Sequence, residues 1–340
     1  MRWAVSVLAV AACGRFDFDG HSPDAPLSPD AKPFSPLSNG CTSADSGPFT
    51  ALANFPTAGE GGYGVWSASP FLVEADTTGG VHALTFDGTA FTERGHLDGL
   101  GWVEAVVGNT ADPTQYFVSA PGTGFYIVNL AIDGQLSIAS SDLTIAEARH
   151  AWSDGTNIFV PVGADGVHAL HFAGAITDLG SIGSRNFSQS VIAKDGYIYL
   201  ADDAVFRVLS FDGTTFMDVG EAIDHPGYAR MWISGSTVFA ATGDGAVAMH
   251  WDGAALTTLD HFATPVNSRD IWSDGQHVFL AAEEDGLYAL NWDGAHFTQV
   301  DHVPVTGAQT LGVFGDGTYI YANDYSGGLT AYSGFACTAY

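Results

Sequence analysis

Short apolar runs separated by glycine-bearing turns recur along most of the chain, and one stretch writes the unit out in full. Ile271-Trp272-Ser273-Asp274-Gly275 leads to His277-Val278-Phe279-Leu280-Ala281-Ala282, then to Asp285-Gly286-Leu287-Tyr288-Ala289-Leu290-Asn291-Trp292-Asp293-Gly294, and last to His296-Phe297-Thr298-Gln299-Val300. Each run is too short for a stable helix and is apolar or alternating. Asp-Gly turns bound the runs, so the pattern predicts four consecutive antiparallel strands.

The glycine after the third run recurs at Gly88, Gly134, Gly174, Gly213, Gly253, Gly294 and Gly334, in steps of 46, 40, 39, 40, 41 and 40 residues. Seven four-stranded units of about 40 residues predict an all-β fold, a seven-bladed β-propeller of antiparallel blades. Trp66, Trp152, Trp232 and Trp272 mark the first strand, with Ala193 and Phe314 in the same place and Gly108 in an irregular second blade. The extra residues of that blade fall at Asn109 to Thr114, in its first turn.

One blade packs on the next, so the ring must close. Asp45-Ser46-Gly47-Pro48-Phe49-Thr50-Ala51-Leu52 aligns without gaps to Asp293 through Val300. It is a fourth strand with no blade before it. Residues 309 to 334 hold three strands and lack a fourth, so the N-terminal strand at 48 to 55 is expected to complete the C-terminal blade.

The beginning of the chain has a different character. Met1-Arg2-Trp3 carries one positive charge, Ala4 to Ala12 is apolar, and Val10-Ala11-Ala12-Cys13 resembles the lipobox of bacterial lipoprotein signal peptides. The resemblance implies a signal peptide over residues 1–12, cleavage before Cys13, and acylation of that cysteine as a membrane anchor. An ordinary secretory signal with a chance cysteine is the alternative. Residues 13–40 carry Pro23, Pro26, Pro29, Pro33 and Pro36 among Ser and Asp, which reads as a tether. Residues 41–340 make the propeller. Gly14 after the lipidated cysteine lacks the Asp that suggests inner-membrane retention, so the cell envelope, and the outer membrane before the inner, is the expected location.

With Cys13 acylated, two thiols remain in an exported, oxidising setting, and Cys41 and Cys337 flank the ring closure. Two unrelated thiols are the alternative to a disulfide. A cross-link over so long a loop is worth about 5 kcal/mol in the loop-entropy account.

Val278 to Asp293 resembles the LVIVD repeat of bacterial surface propellers, and Gly315-Asp316-Gly317-Thr318-Tyr319-Ile320-Tyr321-Ala322-Asn323 resembles the YVTN-type repeat. Both motifs carry turn and packing geometry, so they imply the fold and little about function. Trp251-Asp252 and Trp292-Asp293 mimic the end of a WD40 repeat, but its Gly-His partner is absent.

Thirty-eight acidic residues against 10 basic ones give a net charge of −28, which argues against nucleic acid as a partner. The sequence has no His-Glu-x-x-His, Gly-x-Ser-x-Gly elbow or P-loop, so no catalytic residues are assigned. His82 and His168 share a repeat position with Tyr126 and Tyr288 and read as inter-blade packing. The Trp-Ser-Asp-Gly recurrence reads as turn chemistry, with each Trp filling space between adjacent sheets, in preference to a carbohydrate site.

Arginine is placed less expectedly. Arg149, Arg185, Arg230 and Arg269 lie just before first strands, bordering the central funnel, with Glu104 and Asp270 beside them. Asp165, Asp202, Asp203, Asp244, Glu283, Glu284 and Asp285 lie in the second-to-third strand turns of the same face. The simple reading is charge pairing; the sharper one is a basic funnel mouth holding a small anionic ligand by guanidinium contacts. The expected function is a non-enzymatic binding or scaffolding module using this face for a protein or small anionic ligand. The alternatives are a propeller enzyme with a funnel-centred site and a carbohydrate-binding propeller. No cofactor is expected, and calcium is the cation the acidic turns would suit. Non-reducing intact mass of the protein truncated before Asn39 is expected to show no free thiol; two free thiols in the folded, air-exposed product would contradict the Cys41–Cys337 pairing.

Overall fold

A single four-stranded sheet of this composition has two apolar faces and no helix to cover either, so each sheet must lie against another. The computed structural model describes residues 48–57 and 61–335. The signal segment, the tether, Cys13, Cys41 and Cys337 lie outside the described residues. The described chain forms seven four-stranded antiparallel sheets and no helix. Blades 1 to 6 span residues 64–97, 105–142, 152–182, 190–222, 231–263 and 270–303. Blade 7 takes three strands from 309–333 and its outer strand from Thr50–Phe55. The ring is a seven-bladed β-propeller, closed as the sequence predicts.

Closure repeats the chemistry of the other blades. Thr50 pairs with Ser333 and Phe55 with Leu329, and the register slips between Ala51 and Ala53, leaving Leu52 as a bulge. In blade 6 the slip leaves Val300 as the bulge, the residue to which Leu52 aligns. Each of the other blades carries the same slip against its third strand. A bulge twists and bends the outer strand, which suits the splayed rim of a blade. Asp260 of blade 5 accepts the Phe297 amide at 2.7 Å, and Asp301 of blade 6 accepts the Phe49 amide at 2.5 Å. Phe49 then packs on Phe335, Tyr332 and Phe279 at centroid distances of 4.7, 5.4 and 6.0 Å, so the two ends of the described ring meet in one aromatic cluster.

The turns explain the recurrent Asp-Gly. Gly88, Gly134, Gly174, Gly213, Gly253, Gly294 and Gly334 all have φ between 84° and 122°, a region closed to most side chains. In five of the seven the preceding residue is an aspartate that ties the turn, at Asp87, Asp133, Asp212, Asp252 and Asp293. Asp252 Oδ1 accepts the amides of Ala254 and Ala255 at 2.8 and 2.7 Å, and Asp293 does the same for Ala295 and His296.

The first-strand tryptophans do more than separate neighbouring sheets. Trp66 of blade 1 meets Trp152 of blade 3 at 5.7 Å and Trp232 of blade 5 at 6.1 Å, and Phe314 of blade 7 meets Trp232 at 5.7 Å. Blades 1, 3 and 5 are not neighbours, so these rings converge on the propeller axis and fill it. Ladder register also moves two assignments by one residue. Opposite Phe117 and Tyr199, the equivalents of Phe279, stand Val107 and Ile192 and not Gly108 and Ala193. In blade 4 the cause is its two-residue turn, Asp195-Gly196, where glycine comes second; in blade 5 the turn is Gly235-Ser236, where it comes first. Gly108 and Gly315 have their own role. A Cβ there would lie 2.4 Å from the Trp66 indole nitrogen and 2.3 Å from the Trp272 ring, so the axial indoles lie flat on glycine backbone of the next blade.

Candidate functional site

In each blade the segment entering the first strand and the turn joining the second and third strands emerge on the same face. Arg149, Arg230 and Arg269 enter it beside the axis, and the structure shows what each guanidinium does. Arg230 is buried and reaches across the funnel: it donates to Asp270 Oδ2 at 3.1 Å, to the Tyr63 carbonyl at 3.2 Å and to the Glu104 carbonyl at 3.0 Å. Asp270 in turn accepts the Val313 amide at 3.1 Å. One guanidinium and one carboxylate therefore tie blades 5, 6 and 7 to the entrances of blades 1 and 2. Burial raises the Asp270 carboxyl above its usual range against the pull of Arg230. Losing either partner would strand a buried charge, a cost of about 3–5 kcal/mol.

Arg149 is bound to Glu104, and to Glu147 at 3.0 Å, with its guanidinium 5.0 Å above the Phe187 ring. Arg269 Nε lies 2.7 Å from Glu283. The structure thus brings Arg149, Arg230, Glu104 and Asp270 into one group at the funnel, with Arg269 paired to the second-to-third strand turn of the blade it enters. It does not bring Arg185 there. That half-exposed side chain turns to Asp218 at 3.3 Å and Glu221 at 3.8 Å on the outer strand of its blade. The cavity left at the axis, between Arg230, Asp270, His150 and the aromatic plug, has room for about one water molecule. Burial, and after it the charge of Arg230, hold His150 well below the ordinary imidazole value, so it is neutral there.

The acidic turns are similarly committed. Asp202 is fully buried and accepts from Ser184, Ser188, the Arg185 amide and Arg207. Arg207, a residue the sequence pattern did not single out, is 1% exposed and bound to Asp202, Asp218 and the Gly183 carbonyl at 2.8–3.0 Å. Its one signal is a charged residue in the apolar run Val205–Phe211, at the repeat position held by His82, Tyr126, His168 and Tyr288 elsewhere. His82 packs on Phe55 across the ring closure at 5.4 Å and Tyr288 on Phe262 of the previous blade at 5.5 Å, whereas His168 bonds Asp178 within its own blade at 2.9 Å.

Among the described residues, two trios place ligand-type atoms within 4.8 Å of one another: His82, Glu93 and His96 in blade 1, and His225, Asp244 and His261 at blade 5. The first joins exposed Glu93 and His96 to a buried polar cluster through His82. His82 contacts Glu93 at 2.8 Å and Asp76 at 3.5 Å, and Glu74 is fully buried on the neighbouring strand, its carboxyl oxygens outside hydrogen-bond geometry. Burial pushes Glu74 up to about 8. Burial works against charge on His82, but its bonds to Asp76 and Glu93 prevail and lift it to about 9.

Aromatic residues gather at the funnel rim from three separate segments. Tyr63 enters blade 1, Trp102 enters blade 2, and Tyr325 ends the second strand of blade 7. Trp102 lies 6.4 Å from the Tyr63 ring and 6.5 Å from that of Tyr325, and all three are half-buried. By contrast Trp66, Trp232, Trp251, Trp272 and Trp292 are buried. The Trp102 loop is set by Gly99 and Gly101 at φ 78° and 83° and by the Val103 amide bonded to the Thr77 carbonyl at 2.9 Å.

No protein-family model matches the chain, and no curated protein does. Among solved structures it is similar to the computationally designed Ika8 protein, at 10% identity and a TM-score of 0.59, over 83% of this chain and 98% of that one. That likeness shows the fold alone.

The buried cluster generates a pH dependence. A folded-state value above the unfolded one contributes stability that is present at low pH and lost as pH rises, for Glu74 between 4.5 and about 8 and for His82 between 6.5 and about 9. Glu74→Gln is therefore expected to melt near the wild type at low pH, to gain on it as pH rises through the Glu74 window, and to hold a constant lead above it. Melting curves of both proteins check this; an unchanging gap across the range contradicts it.

Proposed function

We propose that the chain is a non-enzymatic binding module, anchored in the cell envelope through Cys13, that contacts a protein with the face carrying Trp102. The observation that carries the reading is the half-buried trio Tyr63, Trp102 and Tyr325 beside the paired charges of Arg149, Glu104 and Glu147. Half-buried aromatics on a rigid base, rimmed by fixed charges, have the make-up of a protein-binding hot spot, because they bury large area at little entropic cost. The Arg230–Asp270 tie and the axial plug supply the rigid base. They also favour a macromolecular partner over a small anion, since the guanidinium donors of Arg230 are directed at a carboxylate and two carbonyls. The envelope anchor rests on the resemblance of Val10-Ala11-Ala12-Cys13 to a lipobox.

Pull-down from detergent-solubilised envelope tests the reading. The wild type is expected to capture a defined protein, and Trp102→Ala to weaken capture by roughly 30-fold, the scale of a hot-spot residue. Trp102→Ala with Tyr325→Ala capturing the same partner at wild-type strength overturns it, as does capture that is competed fully by a soluble glycan.

A further inference from the structure

His96, His261 and His302 occupy the same place on the outer strands of blades 1, 5 and 6, opposite His82, Val247 and Tyr288. In blades 1 and 6 the imidazole has a plain structural job. His96 stacks on His82 at 4.2 Å and its Nε2 contacts the Gly79 carbonyl at 2.5 Å; His302 stacks on Tyr288 at 4.0 Å and its Nε2 contacts the Asp285 carbonyl at 2.6 Å. Blade 5 departs from this. Val247 offers no ring, and His261 Nε2 faces Asp244 Oδ1 at 3.3 Å, while His225, from the loop entering the blade, brings its Nδ1 to 3.6 Å from that same oxygen.

We infer that His225, Asp244 and His261 form a site for a divalent transition-metal ion of the zinc class. His225 Nδ1 and His261 Nε2 are shut off from solvent and have no hydrogen-bond partner, and both are aimed at one carboxylate oxygen. Neutral imidazoles could each turn an N–H toward Asp244, yet neither nitrogen makes that hydrogen bond. One divalent ion between the two rings, whose centroids lie 4.3 Å apart, satisfies both imidazole lone pairs and the carboxylate together. Metal–ligand bonds of about 2.0–2.1 Å at tetrahedral angles put donor atoms roughly 3.3–3.4 Å apart, close to the two spacings found here. Imidazole donors select a borderline ion over calcium.

The surrounding chain fixes the donors. Thr242 Oγ1 donates to Asp244 Oδ1 at 2.8 Å, the Gly243 amide bonds the Pro226 carbonyl at 2.7 Å beside His225, and the Thr264 amide bonds the Asp244 carbonyl at 3.0 Å. Asp244 itself is 42% exposed, which leaves a solvent side for water or a partner's donor to complete the coordination. The blade 1 trio lacks this character, because its rings stack in parallel and His82 Nδ1 and His96 Nε2 are spent on Glu93 and Gly79.

Titration of the chelator-treated full chain with Co²⁺ tests the site. The expected result is a visible ligand-field band that saturates and is displaced by Zn²⁺, with His261→Gln and Asp244→Asn each weakening Co²⁺ binding roughly tenfold or more and His302→Gln leaving it unchanged. Asp244→Asn keeps shape at a half-exposed turn, so its result stands independently of any folding loss at His261. Absence of saturable Co²⁺ binding, or equal binding by wild type and Asp244→Asn, overturns the inference.

Discussion

A ring of sheets holds together only if its first and last members meet, and here that meeting depends on one six-residue strand, Thr50–Phe55, borrowed from the far end of the chain. It leaves no half-paired blade. The strand supplies the ladder to residues 329–333, the outer bulge at Leu52, and the Phe49 ring that joins Phe279, Tyr332 and Phe335. Ordering it costs loop entropy across nearly the whole chain, but that cost grows only slowly with loop length. Once made, the contact lets every inner sheet face be covered by a neighbour.

Closure also decides what the middle of the ring can be. With seven first strands drawn to the axis, Trp66, Trp152, Trp232, Trp272 and Phe314 fill the channel, and Arg230 with Asp270 fastens the loops above them. The charges that the sequence places at the funnel mouth are paired with one another there, Arg230 with Asp270 and Arg149 with Glu104. The Trp102 rim and the His225–Asp244–His261 trio both gather residues from loops and strand ends around the ring.

Much of the fold was legible because its signals are local and obligatory. A turn that needs φ near 90° takes glycine, so seven glycines carry the blade count, and the gapless match of Asp45–Leu52 to a fourth strand marks the closure in the sequence itself. Counting from glycine failed by one residue at Ile192, since a turn's glycine can sit in either of its central places, and at Val107, where the long first turn at residues 109–114 holds no glycine to count from. The site was less legible. Four arginines shared a sequence context, yet Arg185 points away because Asp218 and Glu221 lie on its outer strand, a relation between residues more than 30 apart. Arg207 and Glu74 sit in apolar runs as single polar letters, and only packing shows that both are buried. The Tyr63, Trp102 and Tyr325 trio comes from two irregular segments and a strand end, and closure brings Tyr325 of the last blade beside the first two, which no local pattern reports.

Hydrogen exchange on the amides of residues 329–333 measures the closure most directly, comparing the intact chain with one that begins at Thr57. The account predicts that the intact protein protects these amides through global unfolding, and that the shortened chain exchanges them fast and loses cooperative unfolding with them. Equal protection in both chains would show that the ring stands without its borrowed strand, and would contradict it.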